Sequence, residues 1–128
     1  MEAVEQHIVE YGVTEFFVGH YGRFDALAAR AVKDAKKRHP EVMLTLLLPY
    51  HTFNHPIQTP KGFDGTFYPP GMETVPKRVA IVQANHYMID TCDYLIVYVW
   101  HPASNALELA EYAQQRGKIH ITYLSREI

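Results

Sequence analysis

Two runs of strand length, Val42 to Leu48 (VMLTLLL) and Tyr94 to Val99 (YLIVYV), are almost wholly apolar. A strand with one wet face alternates between apolar and polar residues. A strand that is apolar on both faces must be covered on both, which is the habit of parallel sheets. Parallel neighbours need a long return connection, usually a helix, and the surrounding sequence supplies them. Met1 to Tyr11 sets Ala3, Val4, Ile8 and Tyr11 at helical spacing, with Gly12 as a stop. Phe24 to Arg38 carries Leu27, Ala28, Ala31, Val32 and Ala35 as one apolar stripe. Its last turns hold Lys33, Lys36, Lys37 and Arg38, where cations complement the helix dipole. A third helix is predicted from about Pro76, with Thr74 as its cap and Ile81, Ala84 and Met88 on its buried side. A fourth runs from Asn105 to Arg116, packs Leu107, Ala110 and Tyr112, and closes at Gly117. Two further strands are expected. Thr14 to Val18 (TEFFV) is short and aromatic, and Ile119 to Leu124 (IHITYL) alternates as an edge strand does. Helix and strand repeat in turn four times. That order predicts an α/β domain over residues 1–128, with a mostly parallel sheet of about four strands and right-handed crossovers.

Composition narrows the function classes. Twelve Lys and Arg against fourteen Asp and Glu leave a formal charge of −2, without the basic face that nucleic-acid binding needs. The segment Lys33 to His39 (KDAKKRH) reads as a solvated helix end rather than a nucleic-acid patch. Cys92 is the only cysteine, so no disulfide forms within the chain and no Cys-based zinc site exists. No apolar run reaches the roughly 20 residues of a membrane span, and the acidic opening MEAVEQHIVEYG has no signal-peptide pattern. A cytoplasmic location with no membrane partner is expected. Among eight histidines, His51 and His55 lie four apart in a Pro-rich stretch, and His20 and His101 fall at strand ends. No HExxH-type spacing joins them, so neither a metal site nor another cofactor is expected.

Residues 49–76 break the pattern, holding six of the eight prolines and no helical period. Five aromatics (Tyr50, Phe53, Phe63, Phe67 and Tyr68) point to a packed lid or a subunit contact rather than a free linker. Within it, Phe63-Asp64-Gly65-Thr66 has the chemistry of a type I′ hairpin turn.

In an open parallel sheet, ligands sit beyond the carboxyl ends of the strands. The first strand runs into Gly19-His20-Tyr21-Gly22, with Asp25 just inside the next helix. Two glycines three apart before a helix let backbone N–H groups face an anion, or simply serve the turn. The spacing is neither G-x-G-x-x-G nor a P-loop. The second strand ends at Tyr50. The third ends at Trp100-His101-Pro102-Ala103-Ser104-Asn105, where Trp100 either stacks on a base or packs in the core, and Ser104 suits an N-cap. Arg78 and Asn85 are seven apart on the third helix and so lie along one line. They either face the same crevice or are ordinary half-exposed helix residues.

Three segments together resemble the SLOG superfamily, the Rossmann-like clan of the Smf/DprA and LOG proteins, and in particular its short uncharacterised bacterial branch. Val18 to Ala29 is similar to the glycine-rich turn and helix, through Gly19, Gly22, Asp25 and Ala28. Val75 to Asp93 is similar to the Arg-containing helix, through Arg78, Asn85 and Asp93, and Tyr94 to Ile119 resembles the strand, ligand-binding turn and final helix. The resemblance implies a three-layer Rossmann-like sandwich and a nucleotide or nucleotide-derived ligand. It implies Gly19, His20, Tyr21, Gly22, His101, Ser104 and Asn105 around phosphate or ribose, Arg78 as the cation, Asn85 and Asp25 orienting polar groups, and Trp100 and Tyr50 stacking. Two departures stand out. The P-G-G-x-G-T-x-x-E turn of LOG-type phosphoribohydrolases reads His101-Pro102-Ala103-Ser104-Asn105-Ala106-Leu107-Glu108 here, keeping the Glu without the glycines. The family's first strand, with its Gly-His-Arg-like turn, is expected to be missing, which exposes sheet edges that a homodimer or higher homo-oligomer would cover. Two alternatives accompany ligand binding. One is N-glycosidic hydrolysis of a nucleoside monophosphate with Glu108 as the catalytic group; the other is a non-catalytic sensing or assembly module.

Overall fold

In this computed structural model the structure describes residues 2–19, 23–49, 59–98 and 105–124. Contacts divide the chain into two units, Met1–Glu73 and Thr74–Ile128. Together they form a mixed α/β fold with four α-helices and two small parallel sheets among the described residues.

The first unit opens with α1 (Glu2–Val9), which buries Ala3, Val4, His7 and Ile8. Gly12 then takes a left-handed φ of 70°, as a residue without Cβ can, and Val13 N–H donates to the His7 carbonyl to close the helix end. β1 (Glu15–Val18) follows, then α2 (Arg23–Lys36) and β2 (Met43–Leu47). β1 and β2 pair in parallel with Phe16 beside Leu44 and Val18 beside Leu46. Val18 and Leu44 join Val4, Ile8, Ala29, Val32, Ala35 and Val42 in a core against which Phe16 and Phe63 pack. β2 is buried on both faces from Leu44 to Leu47, as its unbroken apolar run predicts.

α2 corrects one expectation. Its buried line runs through Ala29, Val32 and Ala35, with Ala28 and Ala31 half-buried, while Leu27 is 56% exposed. At about 100° per residue, Leu27 lies roughly 140° round from the centre of that line. Small alanines let the helix sit close to the sheet, and the larger Leu27 is turned outward. The C-terminal cations are also more than solvated. Lys36 pairs with Asp64, Lys33 stands 4.7 Å over the Phe63 ring, and Glu5 accepts from Arg38 at 3.0 Å and hydrogen-bonds His39 at 2.8 Å.

The expected Asp-Gly hairpin is not formed. Gly65–Phe67 is instead a third strand, β3, parallel to β2, with Thr45 beside Gly65 and Leu47 beside Phe67. Asp64 fixes its entry: the backbone N–H donates to the Leu44 carbonyl at 2.8 Å, and the carboxylate accepts the Leu44 N–H at 2.7 Å. A chain pinned in this way continues beside β2 instead of reversing. The Phe17 and Phe67 rings meet edge-on, 5.7 Å apart, across the strand between them. A 3-10 turn at Met72–Thr74 ends the stretch, with Met72 buried.

The second unit holds α3 (Lys77–Thr91), β4 (Tyr94–Tyr98), α4 (Asn105–Arg116) and β5 (His120–Leu124). Pro76, not Thr74, occupies the N-cap of α3, and no side chain caps it. The buried residues of α3 are Ala80, Ala84 and Ile89, and Ile81 and Met88 are only half-buried. α4 matches its predicted bounds, burying Ala110 and Ala113 and ending where Gly117 (φ 68°) donates to the Ala113 carbonyl. β4 pairs with β5 in parallel from Tyr94 beside His120 to Tyr98 beside Leu124. Only Val97 of β4 is buried, less than the run YLIVY predicts, because among the described residues of this unit β4 pairs with β5 alone. Among the described residues there are five strands, in parallel sheets of three and two, where about four in one sheet are expected. Among the described residues no helix is long and apolar enough to cross a membrane.

Candidate functional site

β1 leaves its last residue, Val18, in the core and passes through Gly19 toward α2, whose first residue is Arg23. Asp25 lies in the first turn of α2, where the helix dipole favours a carboxylate. Its side chain folds back over the turn. A Cβ built at Gly19 would stand 3.0 Å from Asp25 Oδ2 and 3.5 Å from Oδ1, so the glycine makes room for the carboxylate. A carboxylate there changes the chemistry expected of the turn. It accepts hydrogen bonds from hydroxyl groups and repels a phosphate. His20, Tyr21, Gly22 and Tyr50 lie outside the described residues.

In the second unit, Arg78 is exposed on the first turns of α3 and Asn85 is half-buried on the same helix. Asn105 is the first residue of α4. Trp100, His101 and Ser104 lie outside the described residues. Glu108 is in the first turn of α4 with its side chain 50% exposed. It is not isolated: its Oε1 hydrogen-bonds His86 Nε2 at 2.8 Å. The His86 ring stacks on Tyr112, with centroids 3.8 Å apart and planes 2° from parallel. Tyr112 donates its hydroxyl to Asp90 Oδ2 at 2.8 Å, and Arg116 Nε donates to Asp90 Oδ1 at 2.8 Å while its guanidinium stands 5.7 Å from the Tyr112 ring centre. The bond to Asp90 holds the Tyr112 hydroxyl above its ordinary pKa, and partial burial adds to the shift.

The sequence reading makes none of His86, Asp90 and Arg116 a site residue and gives Tyr112 only as a packing position of α4. The signal was present as two matching stripes, His86 and Asp90 four apart on α3, and Glu108, Tyr112 and Arg116 four apart on α4. Each stripe alone looks like a solvated helix face, and only their meeting makes a ladder.

Two open clefts run along α2. One of about 310 Å3 is lined by Lys33, Lys36, Lys37 and Gly62. The other, about 240 Å3, is lined by Arg23, Ala26, Leu27 and Arg30. Neither includes a residue named from the sequence as ligand-binding. Among the described residues no three His, Cys, Asp or Glu side chains gather as a metal site would require. Comparison of the chain with family models, with curated proteins and with solved structures returns no match.

Proposed function

We propose that the chain is a SLOG-like, Rossmann-like module that binds a nucleotide or nucleotide-derived ligand at the carboxyl ends of its parallel strands. The observation that carries this reading is the turn after β1, where the Asp25 carboxylate folds onto Gly19 at the head of α2. A carboxylate at a strand-to-helix turn suits the vicinal hydroxyls of a ribose, which offer two donors to its two oxygens. Every strand pairing among the described residues is parallel, which is the setting in which such turns bind ligands. In this reading the Asp25 carboxylate takes the ribose hydroxyls. Calorimetric titration against nucleosides, nucleoside phosphates and dinucleotides tests it. Saturable binding is expected, weakened roughly 10- to 100-fold by Asp25→Ala, the loss of one or two hydrogen bonds to a charged acceptor. A folded protein that takes up no member of the panel overturns the proposal.

Glu108 supports a second reading, hydrolysis of an N-glycosidic bond. Its carboxylate is half exposed and oriented by His86, as a group that stabilises an oxocarbenium ion or activates water would be. Release of free base from nucleoside monophosphates, abolished in Glu108→Gln, is the expected result. Release that persists unchanged in that variant removes Glu108 from the chemistry.

A further inference from the structure

The outer faces of α1 and α2 carry opposite charge around an exposed apolar residue. α1 turns Ala3, Val4, His7 and Ile8 inward and leaves Glu2, Gln6 and Val9 in solvent, with Val9 64% exposed and the exposed Glu10 directly after its last residue. α2 turns Ala29, Val32 and Ala35 inward and leaves Arg23, Ala26, Leu27 and Arg30 in solvent, with Leu27 56% exposed. The α2 residues recur at three- and four-residue steps, so they form one stripe, and that stripe lines the cleft of about 240 Å3.

The two helices pack on each other through Val4 and Ile8 against the alanine line. Their inner rim is already tied by the bonds of Glu5 to Arg38 and His39. Glu2, Glu10, Arg23 and Arg30 make no ion pair among the described residues; Glu10 accepts only from the Gln6 amide, at 3.1 Å. Each helix thus shows an apolar residue flanked by two charges of one sign, and the signs are opposite. The chain carries the complement of its own surface.

We infer that a second copy of this chain is the partner of this surface. The Glu2–Val9–Glu10 face of one protomer docks on the Arg23–Leu27–Arg30 face of the other, and a twofold axis repeats the contact in the reverse sense. Val9 and Leu27 leave water at the two contact centres, while the flanking charges set the register and exclude other pairings. The inference does not depend on the ligand reading above, because none of its residues belongs to the proposed ligand site.

Sedimentation equilibrium over a concentration series is the test, with three samples beside the wild-type chain. The paired variants Glu2→Lys/Glu10→Lys and Arg23→Glu/Arg30→Glu each make both contacts repulsive, and each is expected to dimerise roughly tenfold or more weakly than wild type. An equimolar mixture of the two restores opposite signs at both contacts and is expected to give a heterodimer of wild-type strength. Recovery in the mixture also shows that both variants are folded. A wild-type chain that stays monomeric, variants that dimerise as wild type does, a mixture without rescue, or growth beyond the dimer each overturns the inference.

Discussion

Asp64 holds more of the first unit together than its partly exposed position implies. Its carboxylate accepts from Lys36 and from the Leu44 N–H, and its own N–H donates to the Leu44 carbonyl. Asp64→Ala leaves the buried Leu44 amide without its acceptor, and a loss of about 1–3 kcal/mol in chemical denaturation is expected. Asp64→Asn keeps an acceptor oxygen and should lose less. Lys36, then the Leu44 N–H, hold the Asp64 carboxyl below its ordinary pKa. A lowered folded value means stability that is present above the unfolded pKa and lost as pH falls through the folded one. Urea midpoints measured as pH drops below about 4 should therefore fall more steeply for wild type than for Asp64→Asn. Gly19 has a separate role. Gly19→Ala sets a methyl group 3.0 Å from Asp25 Oδ2, so it should displace that carboxylate and weaken ligand binding while the thermal midpoint barely moves. Binding that is unchanged in this variant would separate Asp25 from the site.

At the scale of elements, a polar ladder joins α3 to α4 in the second unit. Tyr112→Phe keeps the stack on His86 and removes the bond to Asp90, whereas Tyr112→Ala removes both. The first should cost about 0.5–1 kcal/mol and the second about twice that, with a coupling to His86 that a double-mutant cycle reads directly. The Asp90 bond raises the Tyr112 pKa, so its stabilisation is present below the unfolded pKa and lost as pH rises through the folded one. In an alkaline absorbance titration, Tyr112→Phe should remove a late-ionising tyrosine; an unchanged curve would count against the bond. Legibility in the sequence varied by element, for physical reasons. α4 and β5 were readable because a full apolar stripe or an unbroken alternation marks each. β3 was not, because three residues hold their place through hydrogen bonds to β2 and Asp64, not through any preference of Gly-Thr-Phe. Leu27 was misassigned because an alanine-lined helix gives its apolar face to small residues, and a larger one beside them looks like core.

The whole molecule is two units, each built from helices and parallel strands. Its alternating order was legible because two unbroken apolar runs separated by helices leave few other solutions. The division into sheets of three and two was not, since strand pairing across long connections leaves no local trace. If the charged faces of α1 and α2 join two copies, added salt screens them, and the dimer should weaken several-fold between about 0.05 and 0.5 M salt. The same ligand claim can be placed on the chain residue by residue by following backbone amide resonances during titration with a nucleoside phosphate. The account predicts that the largest shifts fall at Gly19 and around Asp25 at the head of α2, and that they saturate together. Shifts confined to the lysine cleft of Lys33, Lys36 and Lys37, or no shifts at millimolar ligand, would contradict it.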